Sequence, residues 1–539
     1  MSTPSSIGRR TFLRITVATP AAGSLLAACG DEDGSGPGIP SLPNDTFLHG
    51  VASGDPFDTS VILWTRVSGQ TGPVEVEWEV ATSSNFFGAT TGTATVDDST
   101  DYTLKIEAMG LRPGSTYYYR FRVGEDESPI GRTKTLAAGS LDRMRLAFVS
   151  CSNYPAGYFH AYRGIAQRED LDVVLHLGDY IYEYADGTFG TGEEIDRVVD
   201  VNTETVALSD YRARYATYRS DADLQEAHRQ HPFITVWDDH ESTNDSWVGG
   251  ADNHQPDTEG DWEARKAASI QAYYEWMPIR EPASGDRTEI YRGFAFGDLV
   301  DLSMLETRLV GRDAQPTTVE EAEDEGRQLL GPVQETWLFD RLRASTATWR
   351  LIGQQTQLSA LVVPGADALL FDAWNGYRSQ RDRVLATLRD EGIGNTCVLT
   401  GDIHSSWVSD LFVTLEDYDP ATQDGSVAVE FITPSVTSQA LATSAEQVGI
   451  MVDALTPVVQ RLNPQIRYFD LERHGYVLLD IDRARVQAEF YYVGDGERIR
   501  SPSFEETPGP VWFTVAGSQF VTEGTSASEP IANAPALAP

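Results

Sequence analysis

The sequence has little lysine, cysteine or histidine, and it has no long apolar run. Its 539 residues include three lysines, three cysteines and nine histidines, against 81 acidic residues. A net charge of −40 excludes docking on nucleic acid or anionic lipid through a basic patch, because both need clustered Lys or Arg. Three cysteines are too few for a disulfide framework, and no apolar stretch is long enough to span a bilayer as a mature helix.

The chain does contain enough apolar material for a large core. Hydrophobic residues make up 41% of the sequence and aromatic residues 10%, which excludes a globally disordered chain. The length allows two to four domains, and we expect a monomer. The excess of acid indicates mainly a solvated surface. A salt-adapted habitat and a requirement for divalent cations are alternatives that composition leaves open.

The N-terminus has the features of an export signal. Arg9 and Arg10 precede a short apolar segment without acidic residues, which ends in L-A-A-C at Cys29. The paired arginines resemble a twin-arginine signal, and L-A-A-C resembles a lipoprotein processing box that would lipidate Cys29; an ordinary cleaved signal is the alternative. We therefore predict a signal over residues 1–29 and a tether over residues 30–44. The protein would meet the twin-arginine export machinery, would be periplasmic or on the cell surface, and would touch the membrane only through the lipid on Cys29.

Hydrophobic periodicity divides the remaining chain into three parts. Residues 45–137 contain short strands of alternating polarity, which predict an immunoglobulin- or fibronectin-like β-sandwich with a tyrosine corner at residues 111–117. Residues 142–501 alternate apolar strands with helical segments and predict an α/β domain whose sheet faces are covered. The Pro-, Ala- and Ser-rich residues 502–539 predict a tail, with weak order beyond Gly524.

Polar side chains cluster where the apolar strands of the α/β part end. In chain order these are Cys151-Ser152-Asn153, Asp179, Asp238-Asp239-His240-Glu241, Gln354-Gln355 and Asp402-Ile403-His404. Each has an ordinary structural explanation when taken singly, such as a turn or cap for an Asp and a buried apolar role for Cys151. Ligands of open α/β sheets, however, bind outside the carboxyl ends of the strands, and so many acceptors at one edge would repel one another. The ordered set therefore predicts a metal centre.

Three of these motifs together carry a family resemblance. G-D-Y-I-Y-E at 178–183, W-D-D-H-E at 237–241 and G-D-I-H at 401–404 resemble the signatures of PhoD-like alkaline phosphatases, which are exported enzymes of the calcineurin-like metallophosphoesterase superfamily. The resemblance implies an N-terminal β-sandwich followed by a catalytic α/β sandwich of two packed sheets flanked by helices. It also implies hydrolysis of phosphate esters with iron(III) and calcium as cofactors.

The resemblance also implies which residues hold the iron. Cys151 would bind as a thiolate, Tyr182 as a phenolate and His404 through a ring nitrogen, while Asp179 would bridge iron and calcium. Anionic thiolate, phenolate and carboxylate ligands would offset the charge of a trivalent ion. The first and last motifs of the wider superfamily usually carry two further histidines, which are replaced here. That replacement favours iron and calcium over two zinc ions.

The calcium side is less closely defined by the motifs. Asp239, Asn244 and Asp402 are the candidate ligands, with Asp238 as an alternative, because calcium prefers hard oxygen donors. Gln355 stands where related phosphoesterases often place a histidine. It could bind metal through its amide oxygen or could instead orient a neighbouring residue.

The substrate needs cationic and hydrogen-bonding partners besides the metals. Arg308 ends another strand and is predicted to clamp phosphate oxygens, with Arg312 as second candidate and a structural ion pair as the alternative for both. Tyr180 and Asn153 are predicted to hydrogen-bond the substrate.

The leading hypothesis for the reaction is hydrolysis by metal-activated water, with Asp179, His404 and Arg308 as the catalytic residues. A covalent route through Ser152 is the mechanistic alternative. Phosphodiesterase or phospholipase activity at the same centre is the enzymatic alternative. A non-catalytic surface lipoprotein with an adhesive sandwich is the alternative from a different class.

Overall fold

Three β-sheets organise the chain in the computed structural model, which describes residues 45–363, 370–447 and 451–539. The strands are β1 Val51–Gly54, β2 Ser60–Arg66, β3 Val74–Ala81, β4 Thr90–Val96, β5 Thr103–Met109, β6 Thr116–Val123, β7 Asp126–Glu127, β8 Gly131–Lys134, β9 Arg143–Val149, β10 Val173–His176, β11 Pro232–Thr235, β12 Arg292–Phe296, β13 Val300–Met304, β14 Trp349–Gln354, β15 Thr396–Thr400, β16 Ser406–Leu411, β17 Ala428–Ile432, β18 Ile466–Asp470, β19 His474–Asp482, β20 Arg485–Gly494, β21 Thr507–Val515 and β22 Thr522–Glu523. The helices are α1 His160–Ala166, α2 Leu208–Arg219, α3 Ala222–Gln230, α4 Pro256–Glu259, α5 Trp262–Trp276, α6 Val319–Ala322, α7 Gly331–Ala344, α8 Arg378–Asp390, α9 Leu441–Gln447 and α10 Val452–Leu462.

The first sheet has ten strands in the order β22-β21-β20-β19-β9-β10-β11-β1-β2-β5. Its centre, β9, β10, β11 and β1, is parallel, whereas the strands on both flanks pair antiparallel. Every residue of β10 and β11 is buried, as expected of parallel strands covered on both faces. The parallel arrangement directs the carboxyl ends of these central strands to one edge.

The second sheet has seven strands in the order β12-β13-β14-β15-β17-β16-β18, and β13, β14, β15 and β17 are parallel. It packs on the first sheet through one apolar core, to which Leu175 and Leu351 belong. A bridge between Ser150 and Ser435 joins the two sheets at their carboxyl ends. Gly401 permits this approach, because a Cβ there would lie 2.7 Å from the Cβ of Ser150. The two packed sheets expected of the catalytic part are confirmed.

Helices cover the outer faces of both sheets. Leu338 of α7 and Leu385 of α8 share an apolar cluster with Ile352 and Val398 of the second sheet. Helices α1, α2, α3 and α5 contribute buried side chains, including Ile165 of α1, to the core that contains the first sheet. The α/β class predicted from the alternating strands and helices is therefore confirmed.

Residues 45–137 form two facing sheets, one of which is the end of the ten-stranded sheet. The five strands β3, β4, β6, β7 and β8 form the other sheet. Val61 of β2 and Val76 of β3 lie in the core between the two sheets. The hydroxyl of Tyr117 accepts a hydrogen bond from the N–H of Arg112 at 2.8 Å, which is the predicted tyrosine corner. Because β1 pairs with β11, the sandwich shares backbone hydrogen bonds with the α/β part.

The C-terminal tail is more regular than the sequence predicts. Strand β21 pairs with β20 and extends the first sheet, and the chain beyond Gly524 runs back along the molecule. The N–H of Ile531 donates to Asp170 at 2.8 Å, and buried Ala538 exchanges hydrogen bonds of 2.8 and 3.1 Å with the side chain of Gln230. The sequence predicted weak order here because it lacks periodicity. The segment is instead held by side chains that are distant in sequence, and a local pattern does not reveal such contacts.

The predicted signal and tether, including Cys29, lie outside the described residues. Within the described ranges, no helix combines the length and the apolar character that crossing a membrane requires.

Candidate metal centre

Loops that follow β9, β10, β11 and β15 converge between the two sheets. They bring together three overlapping groups of side chains, and within each group the ligand atoms lie within 4.8 Å of one another. The groups are Cys151 with Asp179 and His404, Asp179 with Asp239 and His240, and Asp238 with Asp239 and Asp402. Asp179 belongs to the first two groups and Asp239 to the last two. The three groups therefore form one continuous candidate metal centre.

The backbone is sharply bent at four residues of this centre. Cys151, Asp179, Asp402 and His404 have φ values of 65°, 56°, 64° and 51°. The left-handed conformation costs a non-glycine residue roughly 1–2 kcal/mol, and such strain clusters at functional sites. The fold therefore stabilises four unfavourable conformations at the ends of strands that supply the centre.

Tyr182, Asp179 and His404 meet at one point. The Tyr182 hydroxyl donates to Oδ2 of Asp179 at 2.8 Å and lies 3.0 Å from Nε2 of His404. Nδ1 of His404 lies 3.0 Å from the carbonyl oxygen of Gln439, which can only accept, so Nδ1 carries the proton of the neutral ring. Burial lowers the pKa of His404 to about 3, which keeps the ring neutral. The lone pairs of Nε2 and of the tyrosine oxygen then face each other, an arrangement that a cation would stabilise.

Burial makes the anionic forms of the first group costly. It raises the pKa values of Cys151, Asp179 and Tyr182 well above their usual range; nearby carboxylates raise them further, although the charge of His240 opposes this at Asp179. Oδ1 of Asp179 is buried and has no hydrogen-bond partner among the described residues. Thiolate, carboxylate, phenolate and imidazole donors of this kind fit an iron(III) ion.

The carboxylates of the third group are also incompletely satisfied. Oδ2 of Asp238 and Oδ1 of Asp239 are buried without a hydrogen-bond partner in the described part of the chain, while Oδ2 of Asp239 accepts from the N–H of Asp245 at 2.6 Å. Burial raises the pKa of Asp238 to about 6 and that of Asp402 well above its usual value. Oxygen-only donors in this arrangement fit a calcium ion.

His240 is a member of the centre that the sequence analysis left as an ordinary hydrogen-bonding residue. Its Nδ1 lies 2.7 Å from Oε2 of the buried Glu183, and its ligand atoms group with Asp179 and Asp239. Burial opposes protonation of His240, but Glu183 and Asp239 raise its pKa well above the usual value. Burial would raise the pKa of Glu183, but His240 lowers it to about 2. The signal available in the sequence was the position of His240 within W-D-D-H-E.

Two of the predicted metal ligands, Gln355 and Asn244, hydrogen-bond to residues outside the three ligand groups. The amide oxygen of Gln355 accepts from the Thr307 hydroxyl at 2.6 Å, and its amide nitrogen donates to the Leu305 carbonyl at 3.0 Å. The structure thus shows Gln355 bonded at both ends to a neighbouring loop, which agrees with the orienting role. Asn244 is half-buried on the loop after β11, and its backbone N–H donates to Glu183 at 2.9 Å.

The two arginines proposed for phosphate are both ion-paired. Arg308 is fully buried; it donates through Nε to Asp238, through Nη1 to Asp372 at 2.7 Å and through Nη2 to Asp402 at 3.1 Å. Arg312 donates to the carbonyl of Asp372 at 2.7 Å and to its carboxylate. Burial opposes ionisation of Asp372, but both arginines hold its pKa below the usual range. The structural ion pair, the alternative to a phosphate clamp, is the observed arrangement.

Tyr180 and Ser152 face the core rather than the centre. The Tyr180 hydroxyl lies 2.9 Å from Nε2 of the buried His228, on the side away from the three ligand groups, and its predicted contact with the substrate stays a prediction. The Ser152 hydroxyl lies 2.5 Å from that of Tyr162 in a fully buried network, which disfavours a serine nucleophile. Adjacent residues of these loops point to opposite sides, and the motif letters did not reveal which side each one takes.

Phe189 covers the first group from the solvent side. This half-buried ring lies 5.7 Å from the ring of Tyr182, 6.2 Å from His404 and 6.4 Å from His240, measured between centroids. The amide nitrogen of Asn153 donates to the Phe189 carbonyl at 2.6 Å, and its amide oxygen is buried without a partner among the described residues. Asn153 therefore anchors this cover and keeps one acceptor unused.

The same architecture and sequence recur in known proteins. The family described as PhoD-like phosphatase matches residues 146–490, and its N-terminal domain matches residues 35–137. Alkaline phosphatase D of Bacillus subtilis (strain 168) is 37% identical over 478 residues, which cover 84% of this chain and 78% of that relative. A solved structure of PhoD has a TM-score of 0.80 and 34% identity, and the match covers 92% of this chain and 94% of that one.

These likenesses extend over both the sandwich and the α/β part, and they define the chain as a phosphoric ester hydrolase. The chain belongs to the PhoD-like phosphatase family. The family resemblance inferred from the three motifs is confirmed.

Proposed function

We propose that this chain is an exported, metal-dependent phosphoesterase that holds iron(III) beside calcium. The observation that carries the metal dependence is the continuous cluster formed through Asp179 and Asp239, with three buried carboxylate oxygens that accept no hydrogen bond from the described residues. Buried anions at such distances are unfavourable without a compensating cation. The enzyme class supports the same conclusion, because phosphoester hydrolysis requires charge neutralisation at the phosphoryl oxygens.

The donor types divide the cluster into two parts. Cys151, Tyr182 and His404, with Asp179, supply sulfur, phenolate and imidazole donors that suit iron(III). Asp239 and Asp402 supply only oxygen and suit calcium, with Asp238 as a further oxygen donor and Asn244 nearby on the same loop as Asp239. Asp179 is grouped both with Cys151 and His404 and with Asp239, so it would help to hold both ions.

The residues of the chain have separable roles in hydrolysis. When bound, the cations would supply Lewis-acid charge and lower the pKa of water. His240, oriented by Glu183 through Nδ1, can hold a proton at Nε2 close to Asp179 and Asp239. Arg308 pairs with Asp238 and Asp402, so we propose that it positions these carboxylates. To contact phosphate directly, Arg308 would have to release Asp372 and bind the phosphate in its place. Phe189 limits water access.

Metal analysis combined with hydrolysis tests this proposal. The folded protein is expected to contain iron and calcium and to hydrolyse aryl phosphate esters, and a monoester and a diester assayed side by side measure its preference. Asp179→Asn should lower both metal content and kcat/KM by about 100-fold or more. Asp223→Asn is the matched control, because Asp223 is an aspartate paired with Arg163 outside the three metal-ligand groups. Folded protein without bound metal, and without hydrolysis after metal loading, would refute the proposal.

Export and lipidation are a separate part of the proposal, supported by Arg9, Arg10 and the L-A-A-C box at Cys29. Replacing both arginines with lysine should retain the precursor inside the cell. Cys29→Ser should abolish labelling by a radioactive fatty acid while leaving hydrolysis unchanged. Export of the double-lysine variant at the wild-type level would contradict the twin-arginine route.

A further inference from the structure

One buried carboxylate joins the loop after β10 to the loop after β11. Oε2 of Glu241 accepts the N–H of Asp179 at 3.0 Å and the N–H of Asp238 at 2.8 Å, while Oε1 accepts the N–H of Tyr180 at 2.6 Å. Glu241 is 3% exposed, so water does not compete for these donors. Bonds from N–H groups to a buried carboxylate are among the stronger hydrogen bonds in proteins. Glu241 therefore fixes two loops that belong to adjacent parallel strands.

The two loops are in direct contact where Glu241 binds them. Gly178 has a φ of 108°, and a Cβ at this position would lie 2.4 Å from the Cβ of Asp238. The next residue, Asp179, has the unfavourable left-handed conformation with a φ of 56°. The bond from its N–H to Glu241 helps to hold that conformation. The direction of the Asp179 side chain thus depends on a residue that belongs to the other loop.

The chemistry of this contact requires a carboxylate. Three donors converge on two oxygens, and both oxygens must accept. A glutamine of the same shape has one acceptor oxygen and an NH₂ group, which would face at least one backbone N–H. The buried donor left without an acceptor would weaken the link between the loops.

We infer that Glu241 is a positioning residue that sets the separation between Asp179 and Asp239, the two carboxylates shared by the three ligand groups. Glu241 contacts backbone N–H groups and acts on the centre only through the loops that it joins. Its consequence for metal binding rests on the proposed function. The loop geometry itself does not, and it can be tested separately.

Amide hydrogen exchange tests the geometry without reference to metal or activity. In the metal-free wild-type protein the N–H groups of Asp179, Tyr180 and Asp238 should be protected. Glu241→Gln should accelerate their exchange by about 10-fold or more. The glutamine NH₂ group leaves at least one of these N–H groups without an acceptor, and the loosened loops then expose the others. Glu241→Asp keeps both acceptor oxygens and should restore part of the protection. Fast exchange at these amides in the wild-type protein, or unchanged exchange in Glu241→Gln, would overturn the inference.

Glu430 provides a matched control. It is also fully buried; it accepts the N–H groups of Leu358 and Ser359 and the hydroxyl of Thr400 at the end of β15, each at 2.8 Å, and it does not touch the two loops that Glu241 joins. Glu430→Gln should accelerate exchange at Leu358 and Ser359 and leave Asp179 and Tyr180 protected. Equal acceleration at Asp179 in both glutamine variants would indicate general destabilisation and contradict a specific role for Glu241.

Titration with calcium alone connects the loops to the metal centre. Loss of a residue that orients metal ligands typically costs 10- to 100-fold in affinity, so Glu241→Gln should raise the half-saturating calcium concentration by about 10-fold or more. Glu430→Gln should change it by less than about 2-fold. Wild-type affinity in Glu241→Gln would overturn the link to metal binding. Failure of the wild-type protein to bind metal would instead count against the proposed function, and hydrogen exchange would still decide the role of Glu241.

Discussion

The hydroxyl oxygen of Tyr182 lies 3.0 Å from Nε2 of His404, although Nε2 is the ring nitrogen that carries no proton in the neutral side chain. The same hydroxyl has only one proton, and Asp179 accepts it at 2.8 Å. While Asp179 is ionised, one proton cannot satisfy two acceptors, so the contact between Tyr182 and His404 then favours a bound cation. This pair therefore offers a direct way to identify the ion.

Tyr182→Phe tests the phenolate ligand. Phenolate and thiolate bound to iron(III) are expected to give visible charge-transfer absorption, and the variant should lose the phenolate contribution and bind less iron. The ring is retained, so its tilted contact with the His240 ring, at 4.2 Å between centroids, should preserve the fold. Tyr184→Phe is the control, because Tyr184 also contacts the rings of Phe189 and His240. An iron-loaded wild-type protein whose spectrum equals that of Tyr182→Phe would exclude Tyr182 as a ligand.

Arg308→Met should strongly destabilise the protein. The substitution leaves the buried Asp238 and the half-buried Asp372 and Asp402 without their shared cation, and breaking a buried pair such as that of Arg308 with Asp238 costs about 3–5 kcal/mol. Denaturant unfolding measures the change. Arg343→Met is the control, since its pair with Glu391 is exposed and screened by solvent, so this variant should keep nearly wild-type stability. Arg308→Met with wild-type stability but impaired substrate binding would instead support the phosphate clamp expected from the sequence.

Metal-free protein should become less stable as the pH rises. Burial raises the pKa of Asp245 to about 8 and that of Asp238 to about 6, whereas both are near 4 in an unfolded chain. Between these values the folded state binds more protons than the unfolded state, so the free energy of unfolding decreases with increasing pH. We expect Tm to fall between about pH 5 and pH 8 in chelator and to fall less with calcium present.

Asp245→Asn separates this effect from general charge repulsion. Asparagine tolerates the left-handed conformation of residue 245, where φ is 55°, and it removes one titrating group. The variant should therefore show a shallower decrease of Tm across the same pH range. A Tm that rises with pH in the metal-free wild-type protein would show that these carboxylates are ionised without penalty.

The sequence predicted those residues of the centre whose position follows directly from the end of a strand. Cys151, Asp179, Asp402 and His404 each follow an apolar strand, and parallel strands deliver their ends to one edge. It did not predict partners that are distant in sequence. The contact between Glu183 and His240 spans 57 residues and has no local pattern.

The surroundings of the predicted substrate residues could not be read from the sequence for a related reason. Arg308 was assigned by its chemistry, but Asp372, 64 residues away, binds its Nη1. Tyr180 and Tyr182 lie two residues apart in one motif, yet one faces the core and the other faces the centre. Side-chain direction in an irregular loop depends on packing by other segments, which a motif does not contain.

Removal of residues 525–539 should destabilise the junction between the sandwich and the α/β part. The Tyr118 hydroxyl, on the sandwich, donates to the Ala536 carbonyl at 2.8 Å, while Gln230 of α3 exchanges two hydrogen bonds with buried Ala538. Each hydrogen bond contributes about 1 kcal/mol, so truncation should lower Tm measurably and increase amide exchange in α3. Gln230→Ala in the full chain should produce part of the same effect, because it leaves the Ala538 N–H and carbonyl without partners.

The candidate metal centre draws no ligand from this segment, so metal content per folded molecule should stay at the wild-type value. Unchanged Tm and exchange after truncation would mean that the segment adds no stability, whereas loss of metal would reveal a coupling to the centre that the contacts do not predict.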